Sequence, residues 1–465
     1  MRASKPKTSI FDLNGQSLFF FLCIFNAVYF VFTDFDIRQF LGFGVLGAVL
    51  LLQIHNQIEL TDTKLRFLFL TVSITLLYFL PISKINKDSF AYIVSMILSC
   101  GFVVVSAYHP AMVKKGFRVL QIACICFALS IIIFKISTSL YKSYILPHLS
   151  AVTQEEAKIF MKRGYGIPIA GGYTYVNYIF AFAFFISFGF ILQTHSSLRQ
   201  NLYSAVTMLI AIVGMLFLGR RSELIALFIS TLFIVVIYRK SIFQSKNMVV
   251  FLRIIPILFF AIIFGYIFLS RLNLFSRYTK TFTSLTTYIQ TDGWKSFFGG
   301  KNDITSGRVQ LWDIALKQFK TRPLLGIGWA RFEDCIPAAF NAAHGRSNVA
   351  NVHNDYLQHL CETGIIGTLL IVVPMYLNIH YAKKQTKRIR QLPDQTEYKN
   401  EVVLMNVMTL GTQLFFAFLS LIDPCFYQMT FWIFYASSIM ILEYTLTTEK
   451  TYRNRNMEEL QAWRV

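Results

Sequence analysis

About twelve apolar runs, each close to the length that crosses a bilayer, dominate this chain of 465 residues. In hydrocarbon every backbone N–H and C=O must be satisfied within the protein, so only helices or closed barrels can span. The runs are continuous and about twenty residues long, without the period-two alternation of barrel strands, which selects helices. Composition agrees, since 55% of residues are hydrophobic and only 15% charged, against about 25% charged in a soluble domain. The fold class predicted is an all-α polytopic membrane protein. Its net charge of +20 would suggest nucleic acid in a soluble chain. Here it reads as lysine and arginine collected in loops held on one side of the membrane.

The predicted spans lie near 16–33, 39–54, 65–82, 90–108, 116–137, 169–192, 202–219, 221–238, 249–270, 356–380, 403–422 and 428–446. Four basic groups then fall on a common side: Arg2, Lys5 and Lys7; Lys114, Lys115 and Arg118; Arg239, Lys240 and Lys246; and Lys383, Lys384, Lys387, Arg388 and Arg390. By the positive-inside rule that side is the cytoplasm. Both termini are then cytoplasmic, and a polar island over 271–355, between spans nine and ten, faces outward. A smaller outward loop over 138–168 carries Glu155, Glu156, Lys158, Lys162 and Arg163. The domain reading is a single transmembrane domain, 1–465, with 271–355 inserted as a helical extracytoplasmic cap. No cleavable signal peptide is expected, because the first apolar run lacks a small-residue cleavage site and another run follows directly. Met457 to Trp463 in the polar tail can form a short interfacial helix.

The seven cysteines do not read as a disulfide framework. Cys23, Cys100, Cys124, Cys126 and Cys361 lie in apolar runs, and only Cys335 and Cys425 fall near an aqueous face. Cys124 and Cys126 have the wrong spacing for a zinc pair. Small buried hydrophobes are the simpler reading.

Within the island, Ser306 to Ile327 predicts a helix and a turn. Ser306 is a candidate N-cap, Val309, Trp312, Ile314, Ala315 and Phe319 give a helical apolar face, Pro323 ends the helix and Gly326-x-Gly328 turns the chain. Arg308 then sits in the first helical turn. A cation there opposes the helix dipole, unless an anion is bound where the free amide groups point.

Arg220 and Arg221 stand in Gly219-Arg220-Arg221-Ser222-Glu223, a minimal hairpin between spans seven and eight on the outward side. Two adjacent arginines there run against the cytoplasmic bias and are costly near hydrocarbon. They can snorkel, or Glu223 can neutralise one. The fork of a guanidinium otherwise suits a phosphate or pyrophosphate.

His353 lies at the loop-to-helix junction before span ten, followed by Asn354 and Asp355. Imidazole is suited to general acid–base work, although a loop-capping histidine is the competing reading, and Asn354 or Asp355 can be the N-cap of span ten. His344 is a weaker competitor. No set of ligands has metal spacing. Asp34 and Asp36, in the first outward loop, resemble a paired-carboxylate cation site but are better read as solvated. No nucleotide-binding loop or nucleophile elbow occurs, and no cofactor is expected.

The topology, together with Ser306-Gly307-Arg308, Trp312, Pro323, Gly326-x-Gly328, His353-Asn354-Asp355-Tyr356-Leu357-Gln358 and Glu362-Thr363-Gly364-Ile365-Ile366-Gly367, resembles the O-antigen ligase superfamily of bacterial envelope glycosyltransferases. The motif match covers roughly Ile304 to Leu370. The resemblance implies a metal-independent enzyme in the bacterial inner membrane. Its donor would be a polyprenyl-pyrophosphate-linked glycan, and its acceptor hydroxyl a glycan or lipid A–core at the outer face. It further implies that Arg308 and Arg220 or Arg221 hold the pyrophosphate and that His353 activates the acceptor. Arg221, which starts span eight, is the preferred one of the pair. Ligation of O-antigen to lipid A–core is the leading expectation, ahead of repeat-unit polymerisation, protein O-glycosylation and polysaccharide transport. Mid-span charges, which transport would call for, are few.

Overall fold

The computed structural model describes residues 60–84, 87–105, 110–162, 166, 173–193, 197–244, 307–338, 340, 351–390, 397–426, 428 and 431–446. Expected spans 16–33, 39–54 and 249–270, with Asp34, Asp36, His344, Cys23, Ser306 and the 457–463 tail, lie outside them.

Among the described residues there is no strand. The principal helices, numbered in chain order, are α1 (Asp62–Tyr78), α2 (Lys87–Val105), α3 (Pro110–Ile136), α4 (Ala151–Lys162), α5 (Tyr173–Ile191), α6 (Leu198–Leu218), α7 (Arg221–Gln244), α8 (Arg308–Thr321), α9 (Asp355–Arg390), α10 (Glu397–Leu419) and α11 (Phe431–Leu446). Each predicted span that falls on described residues coincides with one of these. Segments in five of them (α3, α6, α7, α9 and α10) are long and apolar enough to cross a membrane. The outward loop predicted over 138–168 is not irregular. It holds three short turns, Thr138–Leu140, Tyr141–Ile145 and Leu146–His148, and then α4.

Helix α5 explains the centre of the bundle. Its sequence is apolar all round, and such a helix must be enclosed. Phe180, Phe182, Phe185 and Ile186 are fully buried, with α3, α6 and α10 packed around it. Tyr178 and Phe182 of α5 meet Phe434 of α11 in edge-on ring contacts at 5.8 and 4.5 Å.

The cap helix ends before Pro323 as expected, but its N-cap is Gly307 and its buried face includes Leu311. It starts at Arg308, after Gly307 in a left-handed conformation (φ 86°), a geometry glycine adopts without steric cost. It stops at Thr321, because the residue before Pro323 is pushed out of the helical region, and Arg322 has φ −141° and ψ 69°. The buried face centres on Leu311 and Ala315, one turn apart, with Trp312 and Ile314 beside them. They pack on Phe332, Ile336, Val352 and Cys361, a small core that ties the cap to the start of α9.

Helix α9 has 36 residues, about 54 Å at 1.5 Å per residue, far more than the roughly 30 Å of hydrocarbon. It is broken at Gly364 (φ 65°, ψ −168°). The turn after α8 is laid across that break. Ile365 and Ile366 donate to the carbonyls of Pro323 and Leu324 at 2.8 and 3.3 Å, and Ile327 and Gly328 donate to those of Cys361 and Glu362 at 3.0 and 2.9 Å. A Cβ on Gly364 would lie 2.3 Å from the Leu324 carbonyl. The cap is also clamped from α1's side: Lys84 pairs with Glu333 at 2.7 Å and Asp334 at 2.8 Å, and its N–H donates to Trp329 O at 2.9 Å.

Replacing Gly364 by alanine therefore combines a left-handed penalty of about 1–2 kcal/mol with a backbone collision. The expected outcome is a clear drop in melting temperature in detergent, followed by fluorescence-detected size exclusion. An unchanged melting temperature would contradict this account of the break.

Candidate active site

Four stretches distant in sequence meet at one carboxylate. Asp423 lies in the short connection between α10 and α11, and little of its side chain is exposed. Its Oδ2 is 3.6 Å from an Arg220 guanidinium nitrogen, and its Oδ1 is 3.4 Å from Arg308 and 3.7 Å from His353 Nδ1. Ser222 Oγ donates to Oδ2 in a short hydrogen bond.

Each partner is delivered by a local rule. Ser197 caps the start of α6, accepting from Gln200 N at 3.2 Å, and α6 ends at Gly219 with φ 75°, the usual left-handed stop. Only Gly219 and Arg220 then separate α6 from α7. Its Nε contacts Glu223 Oε1 at 2.6 Å, so Glu223 does neutralise one arginine of the pair. Glu223 is fully buried, accepts from Asn177 at 3.4 Å and has Ser222 Oγ 2.8 Å from its Oε2. Arg221 begins α7 and is half-buried; the ion pairs to Glu223 and Asp423 are made by Arg220.

Arg308 begins α8 as expected. It donates to Ile422 O at 2.9 Å as well as reaching Asp423. The partner at this helix start is thus a fixed acidic loop, which answers the unfavourable dipole position.

The three residues at the head of α9 divide the work. Asn354 is the N-cap, its Oδ1 accepting from Leu357 N at 3.0 Å. Asp355 reaches across to the Asp423 loop, where its Oδ2 accepts from Cys425 N at 2.7 Å and Phe426 N at 3.1 Å. Its own N–H donates to Ser420 O at 2.8 Å. His353 adopts φ 57°, uncommon for a residue with a side chain and concentrated at functional positions. Its Nδ1 is buried and directed at Asp423, at a distance longer than a hydrogen bond.

Burial alone would raise the Asp423 carboxyl. The imidazole of His353, the Arg220 and Arg308 charges and the Ser222 hydroxyl outweigh it and hold the group at about 2. Asp423 is therefore a permanent anion at neutral pH, set among two permanent cations. Among the described residues no three of His, Cys, Asp and Glu are grouped to hold a metal ion.

Sequence reasoning named His353, Arg308 and the pair Arg220 and Arg221, with Arg221 preferred; the structure brings Arg220, Arg308 and His353 to Asp423. It missed Asp423. The available signal was an isolated acid in the connection Leu421-Ile422-Asp423-Pro424, following a helix C-terminus where a negative charge is unfavourable.

Asp423→Asn should lower stability by about 2–3 kcal/mol, the low end for a broken buried pair because its partners are partly exposed. The folded carboxyl is depressed, so its contribution is complete above the unfolded value of about 3.9 and is lost only as pH falls through about 2. In a His353→Ala background, which removes the neighbouring imidazole, the melting-temperature gap made by Asp423→Asn should thus be constant from about pH 5 to about pH 7. A gap that closes within that window would contradict the assignment.

Residues 206–372 match a family model described as O-antigen ligase. No curated protein matches the chain. The matched stretch contains Arg220, Arg221, Arg308 and His353, while Asp423 follows it. Over that stretch the chain is similar to the O-antigen ligase family.

Proposed function

We propose that this chain moves a glycan from polyprenyl pyrophosphate onto an acceptor hydroxyl at the outer face of the bacterial inner membrane, acting as an O-antigen ligase with lipid A–core as acceptor. The observation that carries the reading is the convergence of Arg220, Arg308 and His353 within 4 Å of Asp423. The family, one of O-antigen ligase or polymerase-type membrane glycosyl transfer, supports the reaction class.

In the proposed step the acceptor oxygen attacks the anomeric carbon, and its bond forms as the bond from that carbon to the phosphate oxygen breaks. The electron pair leaves with the polyprenyl diphosphate. Arg308 and Arg220 stabilise that developing charge. The acceptor proton passes to His353. Nδ1 faces Asp423, which favours the tautomer carrying hydrogen there and leaves the Nε2 lone pair for the acceptor; Asp423 then pairs with the imidazolium. The 3.7 Å separation is of the kind that tightens when substrate binds. The two arginines differ in freedom. Arg220 is held tightly by Glu223 at 2.6 Å, whereas Arg308 touches Asp423 loosely at 3.4 Å and can swing onto a phosphate.

The helices carry the same basic groups that set the expected orientation. The cluster lies at the Arg220 end of α7 and the Asp355 end of α9. Arg239 stands toward the opposite end of α7, and Lys383, Lys384, Lys387 and Arg388 toward the opposite end of α9. By the positive-inside rule those far ends are cytoplasmic. The cluster then faces outward, with both termini inside.

The test is transfer by purified protein from polyprenyl-pyrophosphate glycan to separate acceptors: lipid A–core, a second donor molecule and a peptide. His353→Ala and Arg308→Ala should lose at least about 100-fold in rate, the scale of a missing base or charge donor, while inserting normally. Arg220→Ala should lose more than Arg221→Ala. EDTA should leave transfer intact. Near-parent rates for both His353→Ala and Arg308→Ala would overturn the site; transfer only to a second donor would overturn the ligase reading in favour of polymerisation.

A further inference from the structure

The turn that follows α8 ends in an apolar tip. Leu324 and Leu325 are 61% and 51% exposed, beside Pro323, in a cap otherwise rich in charge. Two consecutive exposed leucines on a rigid turn are unfavourable in water. The tip is rigid because its carbonyls accept from Ile365 and Ile366, and because Gly326 and Gly364 allow the two backbones to touch.

Those hydrogen bonds also say what lies against it. Ile365 and Ile366 begin the part of α9 beyond the break. From Ile365 to Ile389 this part is about 37 Å long, sufficient to span by itself. Its outward side carries exposed Ile365, Ile366, Leu369 and Val373 in succession, spaced as one helical face. A spanning helix presents such a face to lipid. Pro323 and Leu324 accept from its first two residues, so the tip sits at the upper end of this face and adds two exposed leucines beside it.

We infer that the Pro323–Leu325 tip is immersed in bilayer hydrocarbon, its occupant being the acyl chains that cover the α9 face. The consequence is mechanical. Helix α8 has 14 residues, about 21 Å, with Arg308 at one end and the tip beyond the other. Lipid anchoring of the tip fixes the depth of the helix that carries Arg308.

The experiment uses the full chain in vesicles of phosphatidylethanolamine and phosphatidylglycerol, without donor. A fluorescent amino acid is introduced in separate variants at Leu325, at Leu369 as a lipid-facing reference, and at Asp313, an exposed residue of α8, as a water reference. Acyl-chain-brominated lipid should quench the probe at 325 to at least half the extent seen at 369, and aqueous iodide should quench it several-fold less than at 313. Iodide quenching at 325 equal to that at 313, with no effect of brominated lipid, would overturn the inference. Shielding from both quenchers would overturn it too, since protein and not lipid would then cover the tip.

Discussion

One buried carboxylate organises the end of this protein at which α7, α8 and α9 begin. Without Asp423, the hairpin arginine of α6 and α7, the first residue of α8 and the histidine before α9 would be three basic groups with no reason to approach one another. With it, mutual repulsion is offset and their positions are fixed to within hydrogen-bonding scale. Asp423 is itself placed by Asp355, which binds the backbone of the next residues in its loop. Two carboxylates, Glu223 and Asp423, balance two guanidiniums, so the resting cluster needs no bound anion to be stable. Preorganised charge of this kind is what a developing diphosphate leaving group requires.

The cluster depends in turn on a break in a helix. A continuous α9 would have no exposed backbone groups at its middle for the turn after α8 to bind. Gly364 supplies them, and the reciprocal hydrogen bonds hold the cap at a fixed distance from the spanning helices. The same break separates the short first part of α9, which follows His353, from the longer apolar part beyond it. One glycine therefore serves both the geometry of the site and the burial of the span.

Much of this was legible in the sequence, for identifiable reasons. Spans were readable because twenty-residue apolar runs permit little else. Arg220, Arg308 and His353 were readable because each is chemically out of place: cations outside, a cation at a helix start, an imidazole at a loop end. The ion pairs that distinguish Arg220 from Arg221 could not be read, since they turn on Gly219 ending α6 and leaving Arg220 just ahead of α7. Asp423 escaped because its importance lies wholly in contacts with residues some 70 to 200 positions earlier. Gly364 escaped because glycine is ordinary in membrane helices, and its left-handed backbone has no sequence signature without the partner turn. Leu311 was hidden by a helical face assigned about one residue out of phase, and α4 by the charge of its surface.

The account stands on the diphosphate lying between the guanidiniums of Arg220 and Arg308. Electron cryomicroscopy of the protein in nanodiscs with a polyprenyl-pyrophosphate glycan tests this most directly. The predicted result is diphosphate density touching both arginines, with the anomeric carbon facing His353 and Arg308 moved away from Asp423. Density for the diphosphate elsewhere, with the Arg308–Asp423 contact intact, would contradict it.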